Sequence, residues 1–199
     1  MPPLALALAL HTSGSHLGLA LLEGDERRSV GLPVGRSLAN ALPGAVAELL
    51  PPHRWPELTW MAVALGPGSF TATRLGVVMA RTIAQQVGCR LHGFGSFLLV
   101  AHRRRTELET TGPVWIGQTL PRRGTVAGRY ALEGGRAVEL SPPRLDPGPP
   151  SAPFWEVDQA AAEDALGLLG LGLAAEAVAA GGDWRPVLPL YPTAPVPLP

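Results

Sequence analysis

Asp and Glu are missing from the places where a nucleotide-hydrolysing site would need them. No acid precedes Glu23, and none lies between Leu58 and Thr106. Such a site, built at strand ends, uses carboxylates to hold magnesium and to activate water. The turn after the first apolar run offers only His11, Thr12 and Ser13. The chain has no Lys, which removes Schiff-base and P-loop lysine chemistry. Its histidines, His11, His16, His53, His92 and His102, form no i, i+4 helical pair that would set two imidazoles on one metal, so no metal site is expected. Ser13, Ser15, Ser69 and Ser96 lack a nucleophile-elbow context, and no triad is recognisable. No catalytic residue is assigned.

Gly66-Pro67-Gly68-Ser69-Phe70-Thr71 lies between an expected strand and an expected helix. Glycines there leave backbone N–H groups that can hold an anion. The segment lacks the Lys of a P-loop and the spacing of a dinucleotide fingerprint, so a purely structural turn is the other reading. The acid-free stretch also carries Arg74, Arg81, Arg90, Arg103, Arg104 and Arg105. Six positive charges in a neutral protein read either as a face for RNA or an acidic partner, or as partners for acids from later in the chain.

The elements that position these residues follow from the apolar pattern. Leu4 to Leu10 alternates large and small apolar residues, as a strand covered on both faces does. It is too short to span a bilayer and has no positive flank, so neither a membrane span nor a signal peptide is expected. His16 to Leu22 and Arg27 to Val34 follow across short turns and predict an antiparallel meander. Ser37 to Leu50 predicts a helix interrupted at Pro43. Trp60 to Leu65 predicts a strand, Thr71 to Val87 a helix stopped by Gly88, Arg90 to Phe94 a strand, and Ser96 the cap of a third helix to about Arg103. The order β-β-β-α-β-α-β-α implies a mixed sheet carrying helices. Val114 to Gln118, Thr125 to Leu132 and Ala137 to Leu140 predict strands of a smaller second lobe. Ser141 to Pro153 reads as an extended connector, Ala160 to Ala180 as a helix with acids that argue against a membrane span, and Pro186 to Pro199 as an extended tail. The division is therefore residues 1–104 and 105–199. The single cysteine, Cys89, excludes an internal disulfide, reads as a small buried hydrophobe and suggests a cytoplasmic setting.

Charged residues are only 16% of the chain, which suggests that part of the surface is covered by something other than water. The two central helices fit that suggestion. Besides Asn40 and Glu48, Ser37 to Leu50 has few polar residues. In Thr71 to Val87, Leu75, Val78, Met79, Thr82 and Val87 are expected to face the sheet. Gly76, Ala80 and Ala84 then form a small-residue stripe on the outside, where a second helix could approach. Cover by the chain's own second lobe is the alternative.

Ala62 to Val77, through Gly66-Pro67-Gly68-Ser69-Phe70-Thr71, resembles the signature segment of the TsaB (YeaZ) family of bacterial tRNA threonylcarbamoyladenosine biosynthesis proteins, once labelled glycoprotease homologues. Leu8 to Ser13 and His92-Gly93-Phe94-Gly95-Ser96 resemble the family's flanking segments, and the likeness covers about the first hundred residues. It implies an α/β, actin-like ATPase and ribonuclease-H-like fold in two lobes. It implies a non-catalytic subunit with no cofactor of its own, although nucleotide at a partner interface fits. The implied partners are a catalytic TsaD-like paralogue and a TsaE-like ATPase, with tRNA met only indirectly; the cost of leaving the apolar helix pair in water predicts a homodimer through those helices when the chain is alone. The family's contact surface falls on the two central helices, here at Ala41, Ala45, Glu48, Gly76, Ala80 and Ala84, so Ala80→Arg is expected to break pairing and spare the fold. His11 stands where the family usually has Asp, and Ala72 where it has Gly. The second lobe's Asp-Ala-Arg segment is not recognisable near Gln118 to Arg123, and Tyr191-Pro192-Thr193 half matches the usual Tyr-Leu-Arg. Two other readings remain open. One is an actin-like enzyme, an ATPase or peptidase. The other is a free-standing RNA-binding module, which lacks the interleaved aromatics of a stacking platform.

Overall fold

The computed structural model describes residues 5–146, 153–158 and 160–192. Strand β1 (Leu6–His11) alternates Leu with Ala, and the alternation sorts the two faces of the first sheet. Leu6, Leu8 and Leu10 join Leu17, Leu19, Leu21, Met61 and Val63 on one face. Ala7 and Ala9 join Ala20, Ala62 and Ala64 on the other. A large-residue face holds helices at a distance; a small-residue face lets a helix settle close.

The sheet is completed by β2 (His16–Glu23), β3 (Glu26–Pro33), β4 (Trp60–Ala64) and β5 (Arg90–Phe94), in the order β3-β2-β1-β4-β5. β2 is antiparallel to β1 and β3, while β4 and β5 run parallel to β1. This mixed order is the ribonuclease-H-like arrangement the resemblance implies. Helices α1 (Leu38–Leu49) and α2 (Phe70–Val87) cover the Leu-rich face. α1 runs through Pro43 without interruption, because the ring lies on the exposed side and only one main-chain donor is lost. α2 ends at Gly88, whose φ of 74° is open to glycine at little strain.

Helix α3 (Ser96–Arg103) leads to α4 (Arg105–Thr111) and the second sheet. That sheet contains β6 (Val114–Leu120), β7 (Gly124–Glu133), β8 (Arg136–Asp146) and β9 (Phe154–Glu156), in the order β8-β7-β6-β9. β8 takes up the first six residues of the expected connector; residues 147–152 lie outside the described residues, as do tail residues 193–199. Phe97, Val100, Leu108, Ile116 and Tyr130 form the core between α3, α4 and this sheet.

Not all of the chain after residue 104 stays with the second sheet. Helix α5 (Ala161–Ala177) returns to the first sheet and covers its Ala-rich face through Ala165, Leu168 and Leu169. Its approach is very close. A Cβ on Gly18 would lie 1.9 Å from the Ala161 carbonyl oxygen, and one on Gly172 would lie 2.3 Å from the Trp60 ring. Among the described residues no helix is long and apolar enough to cross a membrane.

Gly18→Val should therefore push α5 off the sheet and lower stability by about 1–3 kcal/mol, read from the urea midpoint and Trp60 fluorescence. Gly44, exposed within α1 with nothing near its would-be Cβ, supplies the control. Gly44→Ala should raise stability by about 0.5–1 kcal/mol.

Candidate functional site

The turn after β1 and the glycine-rich loop after β4 are parallel-strand ends, so the fold brings them side by side. Ser69 N–H donates to the Ser13 carbonyl at 2.7 Å. Gly68 allows that approach: a Cβ there would sit 2.1 Å from the same carbonyl oxygen. Thr12 Oγ1 donates to the Ala72 carbonyl at 2.8 Å, and Gly76 lies flat against the Thr12 side chain. On its other side the loop accepts Ser96 N–H at the Gly66 carbonyl, 2.7 Å. His11, Thr12, Ser13 and Gly66 to Thr71 thus form one knitted unit, with Phe70 exposed and in ring contact with Tyr191 at 4.6 Å.

This unit is one wall of a cleft of about 370 Å³ between the two sheets. The other wall comes from β6 and the approach to α5, including Gln118, Asp158 and Asp164. Arg103 of α3 holds that wall: its Nε donates to Asp164 Oδ1 at 3.0 Å and its Nη1 to Asp158 Oδ2 at 3.1 Å. The Arg103 hydrogen bond draws the Asp158 carboxyl below its ordinary value. Burial lifts the Asp164 carboxyl to about 6 despite the same guanidinium. Burial also lowers the His11 imidazole to about 4, so it is neutral at physiological pH. Cys89 is buried and its thiol is pushed up to about 11, which leaves it unreactive. Among the described residues no group of three or more His, Cys, Asp or Glu side chains is arranged to hold a metal ion.

Several expected placements are corrected. Gly76, Ala80 and Ala84 do not face outward; Ala80 and Ala84 are fully buried in the core beneath α2. Small side chains there let the helix sit down on β1 and Thr12, so the close approach they serve is internal. Val78 and Thr82, expected against the sheet, point to solvent, with Val78 52% exposed. On α1, Ala41 and Ala45 are half-buried and Glu48 is exposed. Ser96 is not a cap but the first residue of α3, and its hydroxyl is buried without a partner. Three of the six arginines of the acid-free stretch pair with acids supplied later: Arg90 with Glu176, Arg103 with Asp158 and Asp164, and Arg104 with Glu107; Arg81 instead donates to the Val187 carbonyl and lies over the Trp184 ring. The clasp around Arg103 escaped the sequence because its members lie about sixty residues apart and share no motif.

Residues 34–117 match the family model described as TsaD: tRNA N6-adenosine threonylcarbamoyltransferase. The tRNA threonylcarbamoyladenosine biosynthesis protein TsaB of Bacillus subtilis (strain 168) is 29% identical over 148 residues, 68% of this chain. The match spans 59% of that relative's length. YeaZ from Pseudomonas aeruginosa superposes with a TM-score of 0.75 at 21% identity, covering 94% of this chain and 99% of that one. A second structure, of an uncharacterised protein similar to peptidase YeaZ from Pseudomonas aeruginosa, gives 0.78 at 21% identity, covering 95% and 100%. These two structures establish the fold.

Burial of Ala80 sets the expected outcome of Ala80→Arg: loss of about 3–5 kcal/mol of stability in urea titration, from an unpaired buried guanidinium. Val78→Arg, at an exposed position, should stay within about 0.5 kcal/mol of wild type.

His11 and Asp164 oppose one another in pH dependence. The unfolded chain protonates His11 near 6.5 and the folded chain only near 4, so acidification through that window removes stability. The folded chain protonates Asp164 near 6 and the unfolded chain near 3.8, so acidification adds stability. In the wild type the two slopes nearly cancel. His11→Asn should gain stability relative to wild type as pH falls from 6.5 toward 4, by up to roughly 1.4 kcal/mol per pH unit. Parallel urea-stability profiles would show that His11 is not buried as the neutral imidazole.

Proposed function

We propose, from the likeness to TsaB and YeaZ proteins, that the chain is a member of that family and a non-catalytic subunit of the machinery that installs threonylcarbamoyl on the adenosine beside the tRNA anticodon. Its partner is a catalytic TsaD-like paralogue, assisted by a TsaE-like ATPase, in the cytoplasm. It meets tRNA only through those partners, and any nucleotide sits at the partner interface.

The observation that carries the non-catalytic part is His11. It occupies the end of the central strand, 7% exposed, as a neutral imidazole where the family usually has a carboxylate. A neutral ring can neither balance magnesium nor serve as the anionic base of a hydrolytic step.

The pairing face is the solvent side of α1 and α2. α1 has a single charged side chain in 12 residues, Glu48. α2 has two in 18, Arg74 and Arg81. Leu75 and Met79 are half-buried along its outer edge, beside the exposed Val78. Helices on the outside of a domain ordinarily carry a polar outer face; α1 has only Asn40 and Glu48 there, and on α2 the exposed Val78 interrupts a face of Arg74, Thr82, Gln85 and Gln86. Without its partner the chain covers the same face by forming a homodimer.

Val78→Arg should weaken pairing with the TsaD-like paralogue by about tenfold or more, equal to about 1.4 kcal/mol, while circular dichroism stays unchanged. Undiminished capture of the paralogue would move the interface off these helices. In cells lacking the chain, wild type should restore threonylcarbamoyladenosine in tRNA and the variant should restore less.

A further inference from the structure

The cleft between the sheets contains polar atoms that the chain itself does not satisfy. His11 Nδ1, Ser13 Oγ and Ser96 Oγ are all buried without a hydrogen-bond partner, in residues 7%, 4% and 5% exposed. All three residues line the same cavity of about 370 Å³. Buried polar groups are normally paired, and three orphans around one cavity call for an occupant that pairs them. Helices α2, α3 and α5 also begin at this cavity, and none has a side-chain cap on its first-turn N–H groups. These ends add donors to the hydroxyls.

Charge narrows the choice of occupant. Among the described residues no Lys or Arg side chain lines the cavity, and the imidazole is neutral. Asp158 and Asp164 stand on the far wall, sharing one guanidinium. A phosphate would find no counter-cation and would face two carboxylates. A serine hydroxyl donates or accepts as required, and its natural complement is another hydroxyl. The volume lies in the lower range for small-molecule sites.

We propose that this cleft binds an uncharged, hydroxyl-rich small molecule of the monosaccharide and polyol class. Its hydroxyls accept from helix N–H groups and donate to His11 Nδ1 and to the carboxylate of Asp164. The site is separate from the pairing face on α1 and α2, so it stands whether or not the pairing does.

The test uses the full chain with D-glucose, D-ribose and glycerol as probes, against inorganic phosphate and Mg-ATP. Imidazole resonances of His11 are followed by NMR and the melting temperature by scanning fluorimetry. At least one hydroxylated probe should shift the His11 resonances saturably and raise the melting temperature. Ser13→Ala combined with Ser96→Ala should weaken that binding at least tenfold. The ligand-free double variant should melt no lower than wild type, since only unpartnered hydroxyls are removed. Ala160→Phe, filling the cleft from a half-buried position, should abolish binding as a second route. The proposal is overturned if none of the three hydroxylated probes perturbs His11. It is overturned equally if phosphate or Mg-ATP does so in their place, or if binding survives in both variants.

Discussion

Large and small residues alternate along β1, and the position of every helix on the first sheet depends on that alternation. Leu6, Leu8 and Leu10 fill the space beneath α1 and α2, whereas Ala7 and Ala9 leave room for only one close-lying helix. A one-residue slip of register would put leucines under α5 and alanines under α2. The antiparallel pairing of Leu8 with Leu21 and of Ala9 with Ala20 keeps like beside like across β1 and β2. The same logic holds in β4, where Met61 and Val63 face one way and Trp60, Ala62 and Ala64 the other. Trp60 is tolerated on the small-residue side because α5 presents Gly172 to its ring.

Close approach is also what holds the site together. Gly68 against Ser13, and Gly76 against Thr12, replace side-chain contacts with backbone contact. The Ser69-to-Ser13 hydrogen bond spends a loop donor that would otherwise be available to an anion. The glycine-rich segment therefore acts in part as a staple between two strand ends. What remains open to ligands is the cleft beside it, whose far wall is fixed by Arg103. That residue draws together α3, the approach to α5 and the first turn of α5, joining the two sheets through charge as well as through packing.

The first sheet was legible in the sequence because β1, β2 and β4 are nearly continuous apolar runs and the strands are separated by turn residues, and because Gly88 marks the end of α2 so plainly. The direction of α2 around its own axis was not legible. Periodicity separates Gly76, Ala80 and Ala84 from Leu75, Val78 and Met79, but hydrophobicity favours the larger set for the core. The outcome was decided by Thr12, sixty-odd residues away, which occupies the space where a larger side chain than Gly76 would have to go. α4 was missed because Arg105 to Thr111 is almost wholly polar, with only Leu108 buried. β9 was missed because three residues carry no period. The destination of α5 could not be read either, since its apolar residues run all round the helix and suit any apolar surface. The cleft draws on positions 11, 13, 96, 118, 158 and 164, a set that only the fold brings together.

The return of α5 to the first sheet has a consequence during synthesis. β5 ends at Phe94, and the helix that seals the alanine-rich face begins at Ala161. At ordinary ribosomal speeds, about 5–20 residues per second, the sheet can be complete in outline for several seconds before its cover emerges. In that interval Ala7, Ala9, Trp60 and Ala62 form an open apolar surface on a nascent chain. Most of the α1 and α2 side has no such delay, because its helices are interleaved with the strands they cover, and Val187 and Trp184 join it later. The growing polypeptide is therefore one-sided, covered on the leucine face and adhesive on the alanine face, until α5 has been made.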